Sequence, residues 1–169
     1  MTKMHAKLEI ETSRIKCLSF HTSRTWLLAA FHTGEIIIYD YETGVAVQNY
    51  NDFNVPVRSV DFHKTEPLFA AGADDAVIRI YNYEKQRCIA TFMEHLDYIR
   101  TVQLHSTKPF LVSASDDQTI RIWNYETRTC LTSISGHNHY VMSAFFHPEL
   151  PFVLSASLDD TVRVWDISS

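Results

Sequence analysis

Two sets of side chains in the second half of the chain have the composition of a nucleophilic catalytic site. Each contains a histidine, a serine and an aspartate, the residues with which serine hydrolases activate their nucleophile. The sets are His95, Ser113, Asp117 and Trp123, and His137, Ser155, Asp159 and Trp165. Every member recurs after 42 residues, with a tryptophan as fourth partner, which a single catalytic centre would not do. We therefore predict two structural hydrogen-bond networks of mutually satisfied buried polar groups, and we assign no catalytic residue.

The corresponding positions in the first half of the chain carry other residues. Phe53 stands in place of the histidine and Ala71 in place of the serine, and tyrosines replace the tryptophans at Tyr39 and Tyr81. We expect these units to keep the same strands without the polar network.

The nine histidines could suggest a metal site. Two belong to the networks, and four follow an apolar position at the same spacing: His21, His63, His105 and His147. Zinc sites use closely spaced ligands such as CxxC or HxxxH, and the sequence has neither pattern. The sequence predicts no metal site and no cofactor.

Charged and aromatic side chains form three further rows at the 42-residue spacing. The rows are Lys16, Arg58, Arg100 and Met142; Arg14, Pro56, Tyr98 and Tyr140; and His32, Asp74, Asp116 and Leu158. The first two units supply cations, whereas the second and third supply acids, to which Asp97 adds one more. Such a surface suits a short ligand with a negative end and a positive middle. Composition alone leaves open the alternative that these are scattered surface charges.

The elements that carry these residues follow from the same period. Four copies of 42 residues account for nearly the whole chain, and short apolar or alternating runs such as 99–105, 110–114, 119–123 and 130–134 predict four strands per copy. A terminal Trp-Asp or Trp-Asn is typical of WD-type units. We predict an all-β, WD-repeat β-propeller with four blades of four-stranded antiparallel sheet, as an open arc or as part of a seven-bladed ring. One domain covers residues 1–169, with repeats at approximately 1–42, 43–84, 85–126 and 127–169.

Composition limits the partners. A net charge of -5 with no basic tail argues against nucleic acid or anionic lipid, since phosphate binding needs a dense Lys/Arg surface. No run of eighteen apolar residues and no secretory signal are present, so we expect a cytoplasmic protein.

Several segments resemble the coatomer family, above all its alpha subunit. They are 13–21, 57–63, 94–100, 113–124, 136–142 and 155–168, and the most specific is Gly-His-Asn-His-Tyr-Val-Met at 136–142. The resemblance implies a non-catalytic module of the COPI coat in retrograde Golgi-to-ER transport, in which the amino-terminal propeller recognises C-terminal dilysine signals of membrane cargo. It also implies other coatomer subunits as partners and a peripheral position, through the coat only, at Golgi membranes and vesicles.

The resemblance assigns roles at matching positions. Lys16 and Arg58 are similar to the pair that binds the peptide carboxylate, with Arg14 and His32 beside them. Asp97 and Asp116 are similar to the acids that bind the lysines, and Tyr98 and Arg100 complete the wall. The chain departs from the family in its length, because four blades cannot close a seven-bladed ring. Three alternatives stay open: an assembly scaffold that binds no peptide, an unrelated WD-repeat platform in another complex, and self-association of the open arc through its exposed flanks.

Overall fold

The computed structural model describes residues 2–8 and 13–168, and in them the chain forms fifteen strands and no helix. The strands form four consecutive antiparallel sheets, which we call blades 1 to 4. Blade 1 contains β1 (Ile15–Phe20), β2 (Trp26–Phe31), β3 (Ile36–Asp40) and β4 (Ala46–Tyr50); blade 2 contains β5 (Val57–Phe62), β6 (Leu68–Ala73), β7 (Ile78–Asn82) and β8 (Arg87–Phe92). Blade 3 contains β9 (Ile99–Leu104), β10 (Phe110–Ser115), β11 (Ile120–Asn124) and β12 (Thr129–Ile134); blade 4 contains β13 (Val141–Phe146), β14 (Phe152–Ser157) and β15 (Val162–Asp166). The prediction of an all-β, WD-type propeller segment is confirmed.

Each of the first three blades takes its outer strand from the beginning of the next 42-residue unit. β4, β8 and β12 begin the second, third and fourth units, yet they pair with β3, β7 and β11 of the unit before. Blade 4 therefore has three strands in the described part of the chain rather than the predicted four.

The core lies between the blades. We call the face that a blade turns to its successor the forward face, formed in blade 1 by Leu28, Ala30, Ile36 and Ile38. The opposite face is the rear face, formed in blade 2 by Val60, Phe62, Phe69, Ala71 and Tyr81. Blades 2 and 3, and blades 3 and 4, are packed by residues at equivalent positions. Because apolar side chains on both faces are buried, each inner blade stabilises two neighbours.

Hydrogen bonds from backbone to side chain also join neighbouring blades through their first strands. The Phe62 amide donates to Ser19 Oγ at 3.1 Å, and the Leu104 amide donates to Asp61 Oδ2 at 2.9 Å. The Phe146 amide donates to Gln103 Oε1 at 2.8 Å. Three different residue types thus accept the same bond, since each has a side-chain oxygen.

The four histidines that follow the first strands close the turn to the second strand. In each, Nδ1 accepts the amide hydrogens of the residues two and three positions later, for example Thr65 and Glu66 at 3.2 and 2.9 Å from His63. His63 is 2% exposed, and burial lowers its pKa below the usual histidine value. These histidines have a structural role that their sequence spacing alone did not assign.

In the described residues, no helix is long and apolar enough to cross a membrane.

Candidate ligand-binding rim

Four β-bulges fix the positions of the first predicted row. In each blade the ladder between the first and second strands skips one residue, and the skipped residues are Lys16, Arg58, Arg100 and Met142. An unpaired bulge residue leaves the alternation of the strand and redirects its side chain. In all four blades the bulge therefore redirects one side chain at the end where the first strand begins. We call this end of the blades the rim.

Backbone hydrogen bonds bring the other two rows to the same place. The amide of His32, Asp74, Asp116 and Leu158 donates to the carbonyl of Arg14, Pro56, Tyr98 and Tyr140, respectively, at 2.9–3.0 Å. Each blade thus presents one triplet at the rim: Arg14, Lys16 and His32; Pro56, Arg58 and Asp74; Tyr98, Arg100 and Asp116; and Tyr140, Met142 and Leu158. The structure places together, blade by blade, the residues that the sequence grouped.

The blade 1 triplet is cationic. Arg14, Lys16 and His32 are exposed, and an Arg14 guanidinium nitrogen lies 3.3 Å from His32 Nε2. Within the described ranges, neither Arg14 nor Lys16 has a carboxylate partner at ion-pair distance. These two cations are available to an anionic ligand.

Blades 2 and 3 carry internally paired triplets. Arg58 makes a bidentate ion pair with Asp74, and its Nη2 lies 2.7 Å from Asp74 Oδ2. Arg100 is bidentate with Asp116 at 2.6 and 2.5 Å. The Asp116 side chain is only 4% exposed, whereas that of Arg100 is 21% exposed. The charges of Arg58 and Asp116 are therefore largely neutralised before any ligand arrives.

Acids collect around Arg100. The hydrogen bonds that Arg100 donates to Asp116 raise the pKa of Arg100, and the charges of Asp116, Asp74 and Asp97 add to the effect. Asp97 is half-buried, and its Oδ1 accepts the Tyr98 amide hydrogen at 2.7 Å. It has no cationic partner at ion-pair distance among residues 2–8 and 13–168, so its carboxylate is the accessible acid of the rim.

Aromatic rings connect neighbouring triplets. The Arg58 guanidinium lies 5.1 Å from the ring centre of Tyr98, and that of Arg100 lies 5.9 Å from the ring centre of Tyr140. The last triplet carries no charge, and Met142 and Leu158 are 37% and 50% exposed. The rim thus changes from cationic at blade 1, through paired charges and Asp97, to apolar at blade 4.

The two Ser/His/Asp sets form closed hydrogen-bond networks. His95 Nε2 lies 2.7 Å from Ser113 Oγ and its Nδ1 lies 2.6 Å from Asp117 Oδ2, while the Trp123 indole N–H donates to Ser113 Oγ at 2.9 Å. In blade 4 the same three distances are 2.8, 2.7 and 2.8 Å, through His137, Ser155, Asp159 and Trp165. Burial alone would raise the pKa of Asp117, but its hydrogen bonds and the charge of His95 outweigh burial and lower that pKa. Ser113 is 0% exposed, so its hydroxyl is shielded from solvent.

The sequence analysis did not predict the β-bulges or the ion pairs of the rim. No residue type marks the bulges, but the ion pairs have a sequence signal, since Arg58 and Arg100 each lie 16 residues before the aspartate that they bind. Over the residues that the structure describes, no three His, Cys, Asp or Glu side chains come together in a group that could hold a metal ion.

The model of the WD domain, G-beta repeat, matches residues 45–82, 86–124 and 128–166. These stretches cover more than half of the sequence, and each includes one outer strand and the three strands of the next blade. The chain belongs to the WD-repeat family.

Several coatomer subunits contain segments that are similar to parts of this chain. Residues of this chain are 42% identical over 53 positions to the probable coatomer subunit beta' of Caenorhabditis elegans, covering 31% of this chain and 5% of that protein. Coatomer subunit alpha-1 of Arabidopsis thaliana is 53% identical over 49 residues, or 29% of this chain and 4% of that protein. Coatomer subunit alpha of Dictyostelium discoideum is 54% identical over 35 residues, or 21% and 3%. The matched part is thus a small fraction of these long relatives, and the matches support a coatomer-related WD module.

Proposed function

We propose that this WD-repeat arc binds the C-terminal tail of membrane cargo that carries a dilysine signal, as a non-catalytic module of a COPI-type coat on the cytoplasmic side of Golgi membranes. The observation that carries the proposal is the polarity of the rim. Arg14 and Lys16, two cations that have no carboxylate partner among the described residues, stand at one end, and the accessible acid Asp97 stands two blades away. A peptide with a terminal carboxylate and lysines a few residues earlier has the complementary order of charges.

The paired charges refine how such a peptide would be held. Lys16 and Arg14 take the carboxylate, with Arg58 sharing its guanidinium between Asp74 and the ligand. Asp97 takes one lysine, while Asp116 accepts a second only by sharing its oxygens with Arg100. Each charge-assisted hydrogen bond contributes about 1.5–3 kcal/mol. A few such bonds on an open rim correspond to micromolar affinity, about −8 kcal/mol.

Titration calorimetry with a peptide ending in Lys-Lys-X-X tests the proposal. We expect micromolar binding by the wild type, and a loss of about tenfold or more when the terminal carboxylate is amidated or when Lys16 is changed to alanine. Lys108→Ala is the matched control, because this exposed lysine lies at the opposite end of a first strand from the rim. Equal binding of the free and amidated peptides by a folded protein would contradict the proposal.

A second candidate, an assembly scaffold without peptide binding, is favoured by the exposed apolar flanks. Phe20 at the rear of blade 1 is 67% exposed, and Val162 and Val164 at the front of blade 4 are 69% and 65% exposed. Partner-dependent complex formation without any heat of peptide binding would support this scaffold.

A further inference from the structure

The loop that leads into blade 3 carries an exposed leucine next to the accessible acid of the rim. Leu96 is 86% exposed, the highest value for a large apolar side chain in the part of the chain that the structure describes. Tyr98, on the other side of Asp97 in the sequence, is 41% exposed. The acid is therefore flanked in the loop by two side chains that can offer apolar contacts to a ligand.

Hydrogen bonds fix the backbone of this loop. The Leu96 amide donates to Asp117 Oδ2 at 3.0 Å, and the Asp97 carbonyl accepts a hydrogen bond from the Ser115 hydroxyl at 3.0 Å. The preceding residue, His95, is 4% exposed and belongs to the polar network of blade 3. Because the residues on both sides of Leu96 are anchored, the leucine is held at the surface, and a ligand that contacts it loses little binding energy to ordering the loop.

The equivalent loop of blade 4 shows that this backbone does not need a leucine. The Asn138 amide donates to Asp159 Oδ2 at 3.1 Å, and the His139 carbonyl accepts a hydrogen bond from the Ser157 hydroxyl at 3.0 Å. The same two bonds hold the loop of blade 3, although Leu96 stands there in place of the asparagine. The leucine is thus compatible with the loop but is not required by its hydrogen bonds.

Of blades 2 to 4, blade 3 alone has an aliphatic residue followed by an acid at these two positions. Blade 2 has Asn54 and Val55 there, and blade 4 has Asn138 and His139. A side chain that is 86% exposed buries little apolar surface, so Leu96 adds little to the stability of its blade. What distinguishes this leucine from its equivalents is that it adjoins the acid assigned to a lysine of the ligand.

We propose that Leu96 is a specificity-determining residue of the rim, which packs against an aliphatic side chain directly preceding the lysines of the cargo tail. This inference rests on the proposed function. When the tail is followed from its carboxylate at blade 1 to the lysine at Asp97, the residue before that lysine lies farther along the path. Leu96 lies one residue farther than Asp97 from the start of β9, so it is the next side chain that the tail reaches. Contact between two aliphatic side chains removes apolar surface of both from water.

Titration calorimetry with a pair of peptides tests this proposal, one ending in Leu-Lys-Lys-X-X and the other in Ser-Lys-Lys-X-X. We expect the wild type to bind the leucine peptide about fivefold more tightly, which corresponds to burying about 40 Å² of apolar surface. Leu96→Asn should abolish this preference and leave the affinity for the serine peptide within about twofold of the wild type. Leu150→Asn is the matched control, because Leu150 is 52% exposed in the turn between β13 and β14, at the opposite end of blade 4 from the rim.

The two peptides also separate this inference from the proposed function. Equal affinities of the wild type for both peptides, with binding still lost in Lys16→Ala, would overturn the role of Leu96 alone. A loss of affinity in Leu96→Asn that is the same for both peptides would overturn it as well, because the leucine would then contact the lysine stem rather than the preceding residue. If neither peptide binds to the wild type, folded by circular dichroism, the proposed function and this inference both fail.

Discussion

Blades 2 and 3 have the same strands and the same connections, but their centres are filled in different ways. In blade 3, Trp123, Ser113, His95 and Asp117 form a closed polar network. In blade 2 the equivalent positions hold Phe53 and Ala71, and Tyr81 stacks on Phe69 with ring centres 4.8 Å apart. One backbone is therefore compatible with a polar and an aromatic centre.

The difference shows that the network is kept or replaced as a unit. Removing one partner of a buried hydrogen bond leaves the other unsatisfied, whereas replacing both partners with apolar groups is far less costly. Only the turn aspartate is common to both blades, as Asp117 in blade 3 and Asp75 in blade 2, and in blade 2 it has a different partner. Asp75 Oδ2 lies 2.9 Å from Arg79, whose guanidinium lies 4.1 Å from the ring centre of Phe53.

The largest difference in stability between the two blades should come from removing the turn aspartate. Asp117 is 5% exposed at its side chain and accepts hydrogen bonds from His95, Leu96 and Thr119, all of which Asp117→Ala removes. We expect a loss of about 3 kcal/mol in the free energy of unfolding. The matched variant Asp75→Ala removes a side chain that is 27% exposed and should cost less than about 1 kcal/mol. Urea denaturation measures both, and equal losses would show that the two blades do not differ in this way.

A reciprocal exchange at the centre should have a smaller effect in both directions. Ser113→Ala deprives His95 Nε2 and the Trp123 indole of their partner, while Ala71→Ser adds a hydroxyl to a fully buried apolar site. Each change should destabilise the protein by about 2 kcal/mol. If Ala71→Ser were neutral in thermal denaturation, the aromatic centre would have to contain a hydrogen-bond partner for it.

The blades also differ in the acceptor that each offers to its successor. Burial raises the pKa of Asp61 in β5 to about 6, against opposing effects of the Leu104 amide, Lys64 and Ser19. Gln103 makes the equivalent bond in β9 without a charge. Because the folded-state pKa is above the unfolded value of about 3.9, the contribution of Asp61 to stability is complete below that value and is lost as the pH rises through about 6.

Asp61→Asn should remove this pH dependence. We expect the variant to gain about 1–2 kcal/mol relative to the wild type at pH 8, and little at pH 4. Gln103→Glu should create a dependence of the same sign at the next junction. Chemical denaturation across this pH range measures both, and a constant difference between Asp61→Asn and the wild type would rule out the raised pKa.

Sequence alone could predict much of this architecture, and the reason is periodicity. The 42-residue offset maps each rim residue and each network residue onto a known position, so both the blades and the triplets could be anticipated. The ion pairs within each blade could not be anticipated in this way. Each row compares equivalent positions of different blades, whereas Arg58 and Asp116 are each neutralised by a residue of another row in their own blade. The pairing of β4 with β3 was also hidden, since an alternating strand buries the same side chains in either neighbouring sheet.

The smallest effect on stability, and a direct test of the rim, is expected at Asp97. Blade 2 has Val55 at this position, so Asp97 gives the rim of blade 3 one carboxylate more than the rim of blade 2. Asp97→Asn keeps an oxygen to accept the Tyr98 amide hydrogen and should change the free energy of unfolding by less than about 0.5 kcal/mol. The loss of its charge should nevertheless weaken dilysine peptide binding about tenfold. Asp74→Asn is the matched control, because this acid is already paired with Arg58. Calorimetry of the two variants compares an accessible carboxylate with a paired one, and a larger loss of peptide affinity with Asp74→Asn would place the lysine contact in blade 2 instead.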